Sequence, residues 1–222
     1  NLNYASSGVF WQQTDVSNAR ANLDVKTILF NEENQSETIK VISQLRDKNN
    51  KIVVKSEKTI TLKPQQSIPY TDSLSVENPE LWHGLDNPYL YRAELLLTKD
   101  EQLVDQISHD IGLRYFQVDK DKGFILNDKP YPLYGINRMA DFPNKGSAIH
   151  KEDHERDIQL ILELGATGVR LGHQQRDEYV YQRADETGLV IWAEVPLINR
   201  INTNQAFTDN VKQQALELVR QN

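Results

Sequence analysis

The stretch Asp157–His173, DIQLILELGATGVRLGH, contains the change of secondary structure that decides the fold of the second half of the chain. Its first part places Ile158, Ile161 and Leu162 at helical spacing, and Gly165 follows as a residue that ends a helix. The segment GVRLG after it is short and apolar except for one arginine, as in a strand that is covered on both faces. The stretch therefore predicts a helix followed at once by a buried strand.

The alternation of strand and helix continues on both sides of this stretch. Before it, GFILNDKPYPLYGINR predicts a hairpin with an Asn-Asp turn, whose second arm over Tyr131–Ile136 is apolar on both faces. After it, a helix from about Asp177 to Thr187 ends at Gly188, and the strand LVIWAEVP and a last helical pattern follow. Strands joined by helices through short links are parallel. These units form either a small open α/β layer or the opening part of a (β/α)8 barrel, since a complete barrel takes about 250 residues.

Residues from Ala21 to about Arg114 follow a different period. Apolar and polar residues alternate there, as around Leu23 and Val25, which indicates half-buried strands. Turn-forming stretches such as DKNNK and TKDEQ separate the strands, as in an antiparallel sandwich of immunoglobulin type. Another small all-β fold stays open, because the chain has no Cys pair to support the assignment. We predict an immunoglobulin-like β-sandwich over 1–115 and an incomplete (β/α)8 barrel over 116–222.

The charge and the apolar content of the sequence argue against two classes of partner, nucleic acids and membranes. The formal net charge of -7 leaves no basic stripe that would neutralise a phosphate backbone, which argues against nucleic acid as a partner. No window approaches the roughly 20 apolar residues that cross a bilayer, so we predict no membrane contact. The absence of Cys removes disulfides and thiolate metal sites, but it does not indicate a compartment.

Four stretches in this order, LWHGLDNPYLY, GFILNDKPYPLYGINR, DIQLILELGATGVRLGH and DETGLVIWAEVP, resemble family 2 glycoside hydrolases. This is the group of β-galactosidases, β-glucuronidases and β-mannosidases, and the resemblance runs from about Val9 to the last residue. It implies an immunoglobulin-like sandwich followed by a TIM barrel, which is the break that periodicity indicates. It also implies a jelly-roll domain ahead of Asn1 and further barrel segments, both missing from this sequence.

The resemblance implies retaining hydrolysis by two glutamates, which lie roughly 5 to 5.5 Å apart across the glycosidic bond. In the family the acid/base glutamate follows a stretch resembling LVRQN, at which this sequence stops, and the nucleophile comes later still. We therefore expect both catalytic residues to lie outside this chain, and the chain alone to be inactive. An open barrel edge should also expose apolar surface through which the chain associates.

Polar residues at the C-terminal end of the first parallel strand, in GINR, are candidates for a sugar site. The active site of a barrel forms at the C-terminal ends of its strands. Asn137 and Arg138 stand where the family usually has Asn-Arg-His, and Met139 replaces the histidine. An arginine fork can bind sugar hydroxyls, and an ion pair at the barrel rim is the alternative for Arg138. Asp141 could meet a sugar hydroxyl, or simply form a turn.

Arg170 and His173 follow the second strand. A guanidinium in a strand covered on both faces needs a carboxylate partner. The resemblance places the matching arginine beside the nucleophilic glutamate, and it matches His173 to a histidine that contacts the sugar. An aromatic residue usually follows that histidine, and Gln174 stands here instead. From the residues alone, His173 would be interpreted as a surface loop histidine.

Glu194 ends the third strand, in WAEVP. A carboxylate there could accept sugar hydroxyls, or ligate Mg²⁺ as the matching residue does in some family members. The usual second ligand is a histidine two residues on, where this chain has Pro196, so we predict no metal and no other cofactor. Trp192 lies within the apolar run and is predicted to be a core residue.

These patterns together predict part of a retaining glycosidase that acts on terminal β-linked sugars. β-Galactosides come first, because GVRLGH and WAEVP look most like that branch of the family. The alternative is a non-catalytic carbohydrate-binding or structural module in which the sandwich is the functional part. A nucleotide-binding α/β protein is disfavoured, because no G-x-G-x-x-G or P-loop follows the strands.

Overall fold

The computed structural model describes residues 8–221, which divide into two compact units. The first unit holds residues 8–81 and 89–115, and the second holds residues 82–88 and 116–220. A short segment that precedes residue 116 in sequence therefore belongs to the second unit.

The first unit is built from seven antiparallel strands in two sheets. Their bounds are β1 Val9–Val16, β2 Arg20–Phe30, β3 Glu37–Arg46, β4 Ile52–Leu62, β5 Ser67–Glu77, β6 Tyr91–Lys99 and β7 Gln102–Ile111. One sheet has the order β1-β2-β5 and the other has the order β4-β3-β6-β7. This arrangement confirms the predicted immunoglobulin-like sandwich.

The alternation seen in the sequence forms the core of the sandwich. Ala21, Leu23 and Val25 of β2 are fully buried, and they pack in one cluster with Val41 and Leu45 of β3 in the other sheet. Strand residues between them point outward, because successive side chains of a strand alternate between its two faces. The alternation of apolar and polar residues in the sequence thus corresponds to two sheets that face each other across the core.

A polar network lies within the sandwich and centres on Asp72 of β5, which is buried. Tyr70 donates its hydroxyl proton to Asp72 Oδ2 at 3.0 Å, Ser56 donates to Oδ1 at 3.2 Å, and Lys58 Nζ lies 2.7 Å from Oδ1. Burial acts to raise the pKa of Asp72, but the hydrogen bonds from Lys58, Ser43 and Ser56 outweigh it, and the pKa is lowered. Burial raises the pKa of Tyr70 to about 12. An ionised carboxylate thus links β5 to β4 of the opposite sheet.

The second unit begins with a small antiparallel sheet of three strands, β8 Phe116–Asp119, β9 Gly123–Leu126 and β10 Lys129–Pro130. The turn residues Asn127 and Asp128 both have positive φ, which is the backbone of the predicted Asn-Asp hairpin. The predicted second arm is wrong in its bounds, because the pairing ends at Tyr131, whose N–H still donates to the carbonyl oxygen of Phe124 at 2.9 Å, and the next strand begins only at Gly135. Pro132 explains the break, since proline has no N–H to donate.

Three parallel strands and three helices complete this unit. The strands are β11 Gly135–Arg138, β12 Gly168–Leu171 and β13 Val190–Ala193, and the helices are α1 Lys151–Glu163, α2 Glu178–Thr187 and α3 Gln205–Gln221. The strands lie in the order β11-β12-β13 and form an open sheet, as predicted for an incomplete barrel. Val169 and Leu171 of β12 pack in one apolar cluster with Ile158 and Ile161 of α1. Helices thus cover one face of the sheet.

The ends of two helices also agree with the sequence. Gly165 follows α1 with a φ of 71°, and Gly188 caps α2 with a φ of 87°. Both angles lie in the left-handed region that glycine adopts at little cost. At the other end of α2, Asp177 accepts a hydrogen bond from the backbone N–H of Tyr179 at 2.8 Å.

The 82–88 segment is held in the second unit by hydrogen bonds to distant residues. Trp82 Nε1 donates to the carbonyl oxygen of Asp185 at 2.8 Å, and Asn127 Nδ2 donates to the carbonyl oxygen of Trp82 at 2.9 Å. The backbone N–H of Leu85 donates to the hydroxyl oxygen of Tyr131 at 3.1 Å. The segment is thus a structural part of the α/β unit rather than a loop of the sandwich.

Candidate functional site

Asn137, Arg170 and Trp192 form one row across the open sheet. Asn137 pairs with Arg170, and Arg170 pairs with Trp192, in the parallel register of β11, β12 and β13. The residues on either side of Arg170, Val169 and Leu171, face the helices, so alternation places this row on the opposite face. Trp192 is 67% exposed there, and its predicted place in the core is wrong for this chain. Among residues 8–221, helices cover only the other face of the sheet.

Arg170 makes a two-pronged ion pair with Glu194, just beyond β13. Arg170 Nε donates to Glu194 Oε1 at 2.7 Å, and Arg170 Nη2 donates to Glu194 Oε2 at 3.1 Å. The two side chains are 37% and 19% exposed, so the pair is partly shielded from water. The carboxylate partner that Arg170 was expected to need is thus present in this chain, whereas the resemblance implied a glutamate outside it.

His173 and Asn137 complete the group. His173 Nδ1 lies 3.0 Å from Glu194 Oε2, and Arg170 Nη1 donates to Asn137 Oδ1 at 3.3 Å. Arg170 Nη2 also lies 3.3 Å from His173 Nδ1, so this ring nitrogen faces both the guanidinium and the carboxylate, and neither contact involves Nε2. We call Asn137, Arg170, His173 and Glu194 the strand-end cluster.

The electrostatics of the cluster favour an ionised Glu194. Partial burial acts to raise the pKa of Glu194, but the hydrogen bonds from Arg170 and His173 outweigh burial and lower it. The side chain is therefore a carboxylate at neutral pH, and it can accept further hydrogen bonds but cannot donate a proton.

Gly172 leaves space for the guanidinium of Arg170, which lies against the backbone at residue 172. A Cβ at residue 172 would be 3.0 Å from Arg170 Nη1 and 3.3 Å from its guanidinium carbon. Any side chain there would press on the guanidinium, so the second glycine of GVRLGH leaves room for the ion pair.

Arg138 is not brought into the cluster. It is one residue beyond Asn137, so it faces the helices, where it is 6% exposed. Its Nε donates to Asp157 Oδ2 at 2.8 Å, and its Nη2 lies 2.8 Å from Nδ1 of His154. Burial, and then the charge of Arg138, lower the pKa of His154, which therefore stays neutral. Arg138 thus has the ion pair that the sequence analysis gave as its alternative role.

Asp141 also lies apart from the cluster. It is exposed in the segment that follows β11, and its charge acts on Arg176. The structure therefore brings together four of the six candidate residues, and it places Arg138 and Asp141 elsewhere.

Two further features concern metal and membrane binding. Within residues 8–221, no group of three or more His, Asp or Glu side chains is arranged to hold a metal ion. In the same range, no helix combines the length and the apolar character needed to cross a membrane.

The fold and the cluster define a class of protein: a β-sandwich followed by parallel βα units with charged side chains at the carboxyl ends of the strands, as in barrel enzymes. The family model for glycosyl hydrolases family 2 matches residues 7–114, and the model for the TIM barrel domain of the same family matches residues 116–219. The chain belongs to family 2 of the glycosyl hydrolases.

Named relatives agree with this assignment. A β-glucuronidase of Bacteroides fragilis is 34% identical, over 99% of this chain and 32% of its own length. A β-galactosidase of Bacteroides ovatus is 27% identical, over 84% of this chain and 22% of its own length. A solved structure of a β-glucuronidase from Bacteroides uniformis, 31% identical, superposes with a TM-score of 0.91 over 98% of this chain and 26% of that protein. The chain thus spans a third or less of the length of each of these relatives.

Proposed function

We propose that this chain supplies part of the sugar-binding end of a retaining glycosidase that removes terminal β-linked sugars. The observation that carries the proposal is the strand-end cluster, in which Glu194, held by Arg170 and His173, lies at the carboxyl ends of adjacent parallel strands. That end of a (β/α) barrel is where its active site forms.

Each member of the cluster has a distinct role in this proposal. Glu194, ionised and only partly exposed, accepts hydrogen bonds from sugar hydroxyls, which are stronger when the acceptor is charged. Arg170 holds that carboxylate in one orientation through a bidentate pair of hydrogen bonds. His173 presents Nε2, and Asn137 presents its amide, as further partners for hydroxyls.

Glu194 is poorly suited to be the catalytic acid. A general acid must hold a proton, and the pKa of Glu194 is lowered. Both of its oxygens already accept from Arg170, which also weakens it as a nucleophile. Glu194 therefore binds sugar rather than catalyses hydrolysis in this proposal, and the two catalytic glutamates that the resemblance implies are proposed to lie outside the chain.

The charge of the cluster bears on the choice of sugar. The cation of the cluster, Arg170, is neutralised by Glu194, so the cluster offers hydrogen bonds but no free positive charge. This favours contact with neutral hydroxyls, as a β-galactoside would supply, and β-galactosides are our first candidate. β-Glucuronides are the second candidate, because relatives at 34% and 31% identity are β-glucuronidases. A glucuronide would need a cation from elsewhere to bind its carboxylate.

The test uses the polypeptide in which this chain occurs, with nitrophenyl β-galactoside, β-glucuronide and β-mannoside as substrates. We expect hydrolysis of the galactoside at the highest kcat/KM, with retention of configuration seen by proton NMR of the first-formed sugar. Arg170→Met should raise KM, because it frees Glu194 to rotate. Arg183→Met, which removes an arginine paired with Glu155 on the helix side, is the matched control and should leave KM unchanged. An inverted product, or binding without hydrolysis of any β-glycoside, would contradict the proposal.

A further inference from the structure

Arg176 lies in the loop between β12 and α2, and its guanidinium reaches both neighbouring strand ends. Its Nη2 donates to the carbonyl oxygen of Arg138 at 3.2 Å and makes a second, shorter hydrogen bond to the carbonyl oxygen of Gly172. Arg138 ends β11, and Gly172 immediately follows β12. One side chain therefore joins the ends of two parallel strands where their own ladder stops.

These two carbonyl groups are adjacent in sequence to members of the strand-end cluster. Arg138 follows Asn137, and Gly172 precedes His173. The carbonyl group of Gly172 lies in the rigid peptide plane that it shares with His173, so a shift of that carbonyl would move His173. The carbonyl group of Arg138 lies one residue after Asn137 at the end of β11, so holding it restrains the strand end that carries Asn137. Arg176 thus fixes the backbone on which Asn137 and His173 are mounted, without being a member of the cluster.

The arrangement is costly for stability. Arg176 Nε and Nη1 are enclosed, and within residues 8–221 neither has a hydrogen-bond partner. Burial, and then the charge of the nearby Arg138, lower the pKa of Arg176, whereas Asp141 acts in the opposite direction. Buried donors without partners and like charges at close range both oppose folding. An apolar side chain of similar size would avoid both costs, while removing the donor of the carbonyl groups of Arg138 and Gly172.

We propose that Arg176 is a positioning residue, retained at the expense of stability because it holds the ends of β11 and β12 in the geometry that the strand-end cluster requires. The effect on the sugar rests on the proposed function, whereas the effect on the strand ends does not. The proposal predicts that loss of Arg176 leaves the melting temperature unchanged or higher but makes the two strand ends less ordered. Loss of an arginine that only stabilises the fold would lower the melting temperature.

The experiment compares Arg176→Met and Arg176→Lys with the unchanged chain. Methionine has no donor for either carbonyl and no enclosed N–H group. We expect Arg176→Met to melt at the same temperature or higher, while amide hydrogen exchange at residues 137–139 and 172–174 becomes at least about tenfold faster. Lysine keeps donors for the carbonyls, so Arg176→Lys should restore slow exchange there. Exchange in the middle of α1 should be unchanged in both variants.

Binding of galactose and glucuronate, followed by ligand-observed NMR, gives the second measurement. We expect Arg176→Met to weaken binding about tenfold, as for a cluster that is no longer held in place. If the polypeptide in which this chain occurs, with Arg176 unchanged, binds no sugar, the proposed function fails, and hydrogen exchange still decides the role of Arg176. A large drop in melting temperature, or unchanged exchange at the two strand ends in Arg176→Met, would overturn the positioning role.

Discussion

Substitution of Gly188 by alanine should destabilise the second unit far more than the same change at another helix end. A Cβ at residue 188 would lie 2.3 Å from the carbonyl oxygen of Gly84, and 2.5 Å from the backbone nitrogen of Leu85. Those atoms belong to the backbone of the 82–88 segment, which cannot turn away as a flexible side chain would. Alanine would therefore push the segment off the α/β unit.

The cost has two parts. The φ of 87° at Gly188 is strained for any residue with a Cβ, at about 1 kcal/mol. Forcing an extra carbon into a filled space adds about 1–3 kcal/mol. The expected loss is about 2–4 kcal/mol, and each kilocalorie corresponds to a fall in melting temperature of roughly 4–8 °C for a unit of this size.

Gly165→Ala is the matched control. Gly165 also follows a helix with a positive φ of 71°, but a Cβ there would meet no atom within 4 Å. It should cost only the backbone strain of about 1 kcal/mol. Thermal unfolding followed by far-ultraviolet circular dichroism suits the comparison, because the three α-helices of the described residues lie in residues 151–221. Equal losses for the two variants would show that the 82–88 segment does not pack on Gly188 as described.

Three further predictions follow from the charges and exposed surfaces. The purified chain should not hydrolyse nitrophenyl β-galactoside or β-glucuronide in a continuous absorbance assay, and turnover that persists through repurification would refute this. Asp72→Asn should lower the free energy of unfolding by about 1–3 kcal/mol at neutral pH, measured by urea denaturation. Because the pKa of Asp72 is lowered on folding, its contribution is present above the unfolded value near about 4 and is lost as pH falls further, so the two proteins should converge in acid. Trp192, Ile201 and Val219 are exposed, so the chain should self-associate in sedimentation velocity runs, and a monomer at all concentrations would contradict the prediction.

The sequence predicted the elements of the chain well, because each has a local signal. Alternation around Leu23 and Val25 gave the sandwich, and the glycines at 165 and 188 marked the helix ends. The place of the 82–88 segment had no such signal. Its partners, among them Tyr131 and Asp185, lie about 50 and 100 residues further along the chain, and pairing over that distance depends on tertiary structure. We still propose a domain division near residue 115, with this segment as the exception.

The sequence named six candidate residues for the site, of which the structure brings four together, and it did not predict how those four pair. Arg170, His173 and Glu194 were all candidates, yet their mutual contacts depend on the register between β12 and β13, which no single strand encodes. Arg138 is a different case. If Asn137 faces the cluster, the next residue of a strand must face the other way, so alternation alone could have placed Arg138 against the helices. Arg176 had no motif, because its partners are backbone carbonyls.

The 82–88 segment also affects how this protein could be recombined with its relatives. The chain passes between its two units three times, after residues 81, 88 and 115, so a single crossover at residue 115 does not exchange a complete unit. A chimera made there would combine Trp82 and Gly84 from one parent with Asn127, Tyr131 and Gly188 from the other. Exchange of the 82–88 segment together with residues 116–220 keeps those partners matched, and it is the cut that a library of hybrid enzymes should use.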